Sequence, residues 1–405
     1  MERVKTGSAL VLFNEFITSA LDRNEIPISI FVDFSKAFDT LDHKILLTKL
    51  NHFGIRGHPL NLLQNYLKDR KQGVFYKNKI SNLLPITCGI PQGSILGPLL
   101  FLIYINDIYT SSSLLHFILF ADDTTILFAS KSMENLLSTI NRELVKVNEW
   151  CQVNRLSLNM SKTNFMIFKK NYTPPICEQI KIDTNIIKHV TTTKFLGVEI
   201  NSLIGWKEHI SQINQKISRA IGVIRRVRFK LSVKTAMLLY DSLILPHLTY
   251  CNIIWGSTYK TSLSKVYQLQ KRALKLCMGK HCKFNPYTKQ VNIAENKSIF
   301  IQSNRLSVFV INKFQTAKFI YQVIKKLSPS PFFQMFSLVS SIHSHNTRAE
   351  DTQKLFLKYA KSNMRKFSIS VRGPQIWNEL PDSIKTLTSV DQFHVKLKKY
   401  FMELT

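Results

Sequence analysis

The stretch "LLHFILFADDTTILFAS", Leu114 to Ser130, sets two adjacent aspartates, Asp122 and Asp123, in the middle of an apolar and aromatic run. Its arms, "HFILFA" and "TILFAS", read as the strands of a β-hairpin, with the aspartates at or beside the turn. Two carboxylates side by side repel each other unless a cation shares them. The flanks are too apolar for a solvated loop, so a hard divalent ion held by oxygen ligands resolves the conflict. Mg²⁺ suits such a place, because it keeps much of its hydration shell and takes one or two protein carboxylates, with phosphates supplying the rest. An ordinary polar turn is the other reading of an Asp-Asp pair.

A third carboxylate stands in "SIFVDFSKAFDTLDH". "PISIFVDF" (27–34) is β-branched and apolar and reads as a buried strand that ends at Asp33 before the chain turns towards a helix. That places the carboxylate at the sheet edge, and an adjacent central hairpin would set Asp122 beside it. Two metal ions about 3.5–4 Å apart would then activate an attacking 3′-hydroxyl and stabilise a leaving pyrophosphate. The competing reading makes Asp33 the N-cap of a helix in "SKAFDT".

Working outward, residues 8–22 have helical spacing. "LDHKILLTKLNHFGI" reads as an amphipathic helix starting after Thr40 or Asp42 and stopping near Gly54. "PLNLLQNYLKDR" reads as a helix with Pro59 in its first turn. Short strand-like pieces follow at "GVFYK" and "LLPITC", then a Gly/Pro-rich loop, "GIPQGS", running into the apolar helix "ILGPLLFLIYINDI". "SMENLLSTINRELVKVNEWCQVN" (132–154) is a helix capped by Ser132, and "KTNFMIF" and "TKFLGVEI" are strands. This order predicts an α+β fold, an antiparallel sheet with helices on one face. After about Ile200 basic helices take over. On a helical wheel of the segment 206–230, Trp206, Ile210, Ile213, Ile217, Ile221 and Ile224 share one face, while Arg219, Arg226 and Lys230 lie opposite. More helices are expected at 232–245, 262–277, through 295–327, and over "VDQFHVKLKKYFMEL" at the end. "SPSPFFQ" (328–334) reads as a linker.

The chain of 405 residues is long enough for two or three domains, and its 45% hydrophobic and 11% aromatic content is that of a folded protein. Its longest apolar run, Ile95 to Ile105, falls short of the ~20 residues a bilayer needs, and no secretion signal opens the sequence. Six scattered cysteines read as free thiols of a reducing compartment. "CMGKHC", with Cys277, His281 and Cys282, lacks a fourth zinc ligand at a sensible spacing, and Trp377 reads as a core anchor. Charge is the loudest bulk signal, a net of +29. Residues 1–150 hold 15 Lys/Arg against 14 Asp/Glu, which leaves 40 against 12 in the remainder. A near-neutral first part and a strongly basic second part point to a site joined to a polyanion grip. Nucleic acid is preferred to a membrane, because no basic amphipathic segment has the bulky apolar face of an interfacial anchor.

"FVDFSKAFDTLDH", "GIPQGSILGPLLFLIYINDI", "FADDTTILF", "LSLNMSKTNFMIF" and "KFLGVEI" follow one another here in an order and at spacings that resemble the successive palm motifs of reverse transcriptases. The resemblance is to those of non-long-terminal-repeat retrotransposons, of the jockey-like or a related clade. "YCNIIWGSTYKTSLSKVYQLQKRALKL", "HNTRAED" and "RGPQIWNELPDSIK" resemble the downstream region of the same reading frames. The resemblance implies a fingers remnant over 1–26, a palm over 27–200, a helical thumb over 201–290 and a basic, mostly helical C-terminal region over 291–405.

It also implies roles by position. Asp33 resembles the first metal-binding aspartate, with the carbonyl of Phe34 as an added ligand; Asp122 and Asp123 resemble the aspartate pair of the catalytic hairpin, Asp122 being the bridging ligand and Asp123 the more replaceable one. Two Mg²⁺ ions are implied, with Mn²⁺ as a possible substitute. Phe38 resembles the aromatic gate that leaves no room for a 2′-hydroxyl, although core packing also explains a Phe there. "PQGS" resembles the loop meeting nucleotide and template, in which Gly93 allows close backbone approach and Gln92 hydrogen-bonds a base or sugar; a turn before a helix is the plainer reading. Lys162 matches the lysine proposed to protonate leaving pyrophosphate, or is a loop lysine. Phe195, Leu196 and Gly197 resemble the primer grip. Arg219, Arg226 and Lys230 of the first thumb helix would track phosphates without reading sequence, or form a solvated face.

The family pattern is broken at the start. About 30 residues precede Asp33 and resemble only the tail end of a fingers subdomain, so the triphosphate's basic clamp has no obvious source, and no endonuclease domain is found. Two expectations stand: an RNA-directed DNA polymerase that joins deoxynucleotides to a DNA primer on an RNA template, or an inactive nucleic-acid-binding remnant of such an element. No membrane partner is expected, and the site of action is intracellular, nuclear or cytoplasmic.

Overall fold

A computed structural model of the chain describes residues 6–169, 179–279, 299–341 and 353–404. The chain divides into two compact units, one formed by residues 23–191 and the other by 1–22 together with 192–405.

The first unit is built on a five-stranded sheet. Its strands are β1 (Ile26–Val32), β2 (His116–Phe120), β3 (Asp123–Ser130), β4 (Asn164–Ile167) and β5 (Lys188–His189), in the spatial order β5-β4-β1-β3-β2. β1 runs antiparallel to both β3 and β4, β2 and β3 form the antiparallel hairpin, and β5 joins β4 in parallel at the edge. The expected α+β class is therefore what forms. β1 is central because its side chains fit there: Ile28, Ile30 and Val32 alternate into the core, where Ile126, Phe165 and Ile167 of the neighbouring strands join them. Helices Gly97–Ile105 and Met133–Val153 supply the rest of this core through Leu100, Phe101, Ile140 and Leu144, all fully buried. Each such side chain contributes roughly 1.5–3 kcal/mol through burial.

Helix starts follow the caps. Asp42 accepts from the amides of Lys44 (2.8 Å) and Ile45 (3.0 Å) and opens helix His43–His52. Ser132 accepts from Asn135 N (3.2 Å) and opens Met133–Val153. No helix forms in "SKAFDT"; residues 35–39 are turns, so Asp33 caps nothing. Between helix His58–Leu67 and the Gly/Pro loop, the expected strands are very short pairs, Lys71–Gln72 with Leu84–Pro85 and Phe75–Tyr76 with Lys79–Ile80.

The second unit is helical apart from the hairpin of β6 (Thr192–Phe195) and β7 (Val198–Asn201). In helix Lys207–Val227 the isoleucines at 210, 213, 217, 221 and 224 are buried, and Arg219 and Arg226 are exposed, as the wheel predicts. Helix Thr6–Asp22 is tied to residues some 340 positions away. The carboxylate of Asp22 accepts from Ser362 N (2.8 Å), while Glu15 pairs with Arg365 at 2.6 Å and accepts from Ser370 N at 3.0 Å. "SPSPFFQ" is not a linker. Ser330–Phe332 forms a 3-10 turn whose Phe332 is fully buried edge-on to Phe319, because a ring of that size is costly to leave in water. Trp377 is buried and donates to the carbonyl of Gln353 at 3.0 Å, a core anchor. His281, Cys282 and "HNTRAED" lie outside the described residues; Cys88, Cys151, Cys251 and Cys277 are free thiols. Among the described residues no helix is long and apolar enough to cross a membrane.

Candidate active site

The hairpin of β2 and β3 closes through a two-residue turn, Ala121–Asp122, flanked by the pair Phe120 and Asp123. Ala121 takes φ +52°. A residue with a Cβ adopts that conformation at a cost of order 1 kcal/mol, and such strain persists where the surrounding structure enforces it. Here it lifts Asp122 onto the hairpin tip. Across the sheet, Val32 faces Thr124 at the end of the ladder between β1 and β3. Asp33 and Asp123 are the next residues beyond that pair, and the charge of Asp33 is felt at Asp123. Asp33, Asp122 and Asp123 thus gather at one end of the central strands.

Asp33 is held from behind. Its amide donates to Thr163 Oγ1 (3.3 Å), its carbonyl accepts from Asn159 N (2.8 Å), and Phe34 bridges to Leu158. The same segment carries Lys162, whose ammonium lies 3.6 Å from Asp33 Oδ2. That oxygen is buried and accepts no hydrogen bond. Lys162 thus balances the charge of this oxygen from a distance, and the lack of a hydrogen bond leaves room for a closer cation. Partial burial, then the neighbouring charges of Asp122 and Asp33, push the Asp123 carboxyl above its ordinary value. The three carboxylates therefore repel one another, as adjacent like charges must. Among the described residues no group of three or more His, Cys, Asp or Glu side chains is placed to hold a metal ion. Such an open set of carboxylates, one oxygen of which has no hydrogen bond, suits only an ion that leaves most of its shell to water and phosphate.

Beside the aspartates, Phe38 packs on Phe101 of helix Gly97–Ile105, ring centroids 4.9 Å apart. The loop before that helix is welded to the turn that follows Asp33. Ile90 N donates to the Phe38 carbonyl (2.8 Å), Gly89 N to the Leu41 carbonyl (2.8 Å), and Gln92 Nε2 to Asp39 Oδ1 (2.8 Å). His43 Nε2 lies 2.7 Å from the Gly89 carbonyl. Gly89 has φ +83°, and a Cβ there would sit 2.7 Å from the Asp39 carbonyl oxygen, so only glycine fits. Gly93 has φ +80° but faces open space. The turn geometry requires it, and no protein atom crowds it. Asp39, Gly89 and Thr163 do not stand out in the sequence. For Gly89 a signal existed, a third glycine close before "PQG"; for Asp39 and Thr163 the roles depend on partners 53 and 130 residues away.

The remaining expected residues belong to the helical unit. Leu196 (φ +46°) and Gly197 (φ +79°) form the turn between β6 and β7, the two positive φ values of a tight hairpin. Phe195 is buried 5.2 Å from the ring of Phe13, and Tyr250 donates to the Leu196 carbonyl at 2.8 Å. Arg219, Arg226 and Lys230 are exposed.

Residues 9–200 match the family model of reverse transcriptase (RNA-dependent DNA polymerase). A probable RNA-directed DNA polymerase from transposon X-element of Drosophila melanogaster is 27% identical over 276 residues, covering 65% of this chain and 30% of that protein. The RNA-directed DNA polymerase from mobile element jockey of the same organism is 28% identical over 278 residues, with coverage of 65% and 30%. The chain thus spans 30% of the length of these two relatives. Among solved structures, apo telomerase from Candida tropicalis superposes with a TM-score of 0.39 at 13% identity, covering 76% of this chain and 50% of that one, a likeness too faint to carry weight. The family model spans the segment that carries the three aspartates, and residues 9–200 are similar to reverse transcriptases, with the polymerases of jockey and X-element among the chain's relatives.

Proposed function

We propose that this chain extends a DNA primer on an RNA template, as the polymerase portion of a non-long-terminal-repeat retrotransposon protein. The observation that carries the reading is that Asp33 and Asp123 lie just beyond the facing pair Val32 and Thr124, beside the hairpin tip that bears Asp122, with Asp33 Oδ2 buried and without a hydrogen bond. Reverse transcriptases use divalent metals; here Asp33, Asp122 and Asp123, with the Phe34 carbonyl, would hold two Mg²⁺ ions, for which Mn²⁺ can substitute. Bound there, the ions supply Lewis acidity to a primer 3′-hydroxyl and charge neutralisation to a leaving pyrophosphate.

The chain's own residues do the rest. The Phe38 ring, backed by Phe101, fills the space a ribose 2′-hydroxyl would need and so favours deoxynucleotides. Gln92 and Gly93 meet the nucleotide and template. The Lys162 ammonium neutralises Asp33 in the free protein and delivers a proton to departing pyrophosphate. The turn Phe195–Gly197 steadies the primer end, and Arg219, Arg226 and Lys230 bind phosphates.

Primer extension on poly(rA)/oligo(dT) with dTTP and Mg²⁺ tests the reading. The wild-type chain is expected to extend the primer, and Asp122→Ala to lose at least about 10³-fold in rate, within the range that electrostatic stabilisation supplies. Equal background from both proteins would leave only nucleic-acid binding.

A further inference from the structure

A pocket of about 420 Å³ opens in the helical unit where helix Lys207–Val227 begins. Three rings stand in its wall: Trp206, Tyr259 and Phe367. Tyr259 meets Phe367 edge-on, ring centroids 4.9 Å apart, and is 54% exposed. Trp206 starts the apolar face of that helix, yet it is only half-buried, while the isoleucines that follow it are buried. Large rings left partly in water around a hollow are costly, and a ligand that fills the hollow removes the cost. Ile204, also in the wall, takes φ +52°. A β-branched residue is strained there, and such strain collects at ligand sites. The loop is held in that shape from within: Asn201 Oδ1 accepts from Gly205 N at 2.6 Å, and Asn201 Nδ2 donates to Glu208 Oε2 at 2.9 Å.

Asn14 and Asn363 also line the pocket, each with a side-chain amide that makes no hydrogen bond among the described residues. Each offers both donors and an acceptor, and an aliphatic side chain from a protein partner would cover them without satisfying them. Lys207 is the only charged side chain in the wall among the described residues, and Lys260 and Lys366, next to Tyr259 and Phe367, are exposed. The acids nearest to the wall in sequence are occupied, Glu208 with Asn201 and Glu15 with Arg365. A flat ring with donors and acceptors along its edge and an anion beside it matches the rings, the amides and the lysines together. We infer that this pocket takes one unstacked nucleobase from a single-stranded stretch of nucleic acid, held by the rings and the amides, with its phosphate towards Lys207. The volume suits one base with its sugar and is far too small for a duplex. A strand is preferred to a free nucleotide because the 40 basic against 12 acidic residues after position 150 attract a polyanion. The inference stands apart from the polymerase reading, since a chain that extends no primer can still hold a base.

Trp206 fluorescence reports occupancy. The full chain is titrated in EDTA with an oligothymidylate octamer and with an abasic octamer, which carries the same phosphates and no bases; Trp206→Phe identifies the part of the signal that belongs to Trp206. The thymidylate octamer is expected to quench Trp206 and to bind at least about tenfold more tightly than the abasic one, as stacking of a base on an aromatic ring supplies. Tyr259→Ala should weaken the thymidylate octamer about tenfold and leave the abasic one within about twofold, which also shows that the variant is folded, whereas Tyr259→Phe keeps both affinities. Equal affinity of the wild type for the two octamers, or unchanged binding in Y259A, overturns the inference. So does dTMP that quenches Trp206 as tightly as the octamer, which would make the pocket a site for free nucleotides. A Trp206 signal that follows protein concentration and ignores both octamers would make the pocket an interface between copies of the chain, and overturns it as well.

Discussion

His209 shows how one buried side chain ties stability to pH. Its imidazole is packed edge-on to Trp255, and Nδ1 accepts from the Glu199 amide at 3.3 Å. Burial, with a smaller push from the charge of Lys216, lowers its pKa to about 4 from the ordinary 6.5. The unfolded chain therefore takes up a proton near pH 6.5 that the folded chain refuses until about pH 4. Stability is full above 6.5 and falls as pH drops through the window down to 4, by about 3 kcal/mol in total. The substitution His209→Asn keeps an acceptor and removes this titration, so urea unfolding of H209N is expected to show a shallower pH dependence over that window than the wild type, the remaining slope coming from His116, His189 and His247, which burial also lowers. Carboxylates such as Glu143, held low by Lys146, Ser112 and Arg142 against the opposing effect of burial, act only below the ordinary glutamate value of 4.5. At the same scale, Asp122 and Asp123 stood out in the sequence because two charges broke an apolar run. His209 did not, since a lone histidine on a helix carries no local sign of burial.

At the level of elements, helix starts and the catalytic hairpin were legible because their signals are local. Asp42 and Ser132 cap the helices they were expected to open, and the turn falls at Asp122. The segment 71–87 was less so. Val74, Phe75, Tyr76, Ile80, Leu83 and Leu84 have strand character, yet they pair for only two residues at a time and stay exposed, because strand propensity reflects packing as much as backbone preference. The junction at Gly89 was only faintly marked, by a glycine close before "PQG", because its role is the approach of a second backbone. Gly89→Ala places a methyl 2.7 Å from the Asp39 carbonyl oxygen at φ +83°. Since neither backbone can yield cheaply, the variant is expected to lose about 3 kcal/mol of stability in urea unfolding. A loss under about 0.5 kcal/mol, the size of an ordinary surface change, would mean the two loops are not welded.

Across the whole chain, charge is the dominant property, with a net of +29 lying mostly beyond residue 150. Binding of a primer–template should therefore be driven by release of counterions. The logarithm of affinity is expected to fall against the logarithm of salt with a slope of about −4 or steeper, largely independent of sequence. Asp122→Ala should leave that slope unchanged, and filter binding across about 50–300 mM salt would reveal a flat response if the basic helices do not touch phosphates.

The sequence alone determined the α+β class, the order of the motifs, the amphipathic helix Lys207–Val227 and the uneven charge, because periodicity, capping and composition are written within a few residues of one another. Only the tertiary structure decided that Asp33 and Asp123 lie at the same end of neighbouring strands, that Gly89 must be glycine, that Lys36, Arg70 and Lys71 share a cleft, and that helix Thr6–Asp22 is held by Ser362 and Arg365. Each of these is a relation between distant segments, set by strand register and close packing, and a residue carries no local mark of the partner that folding will bring to it.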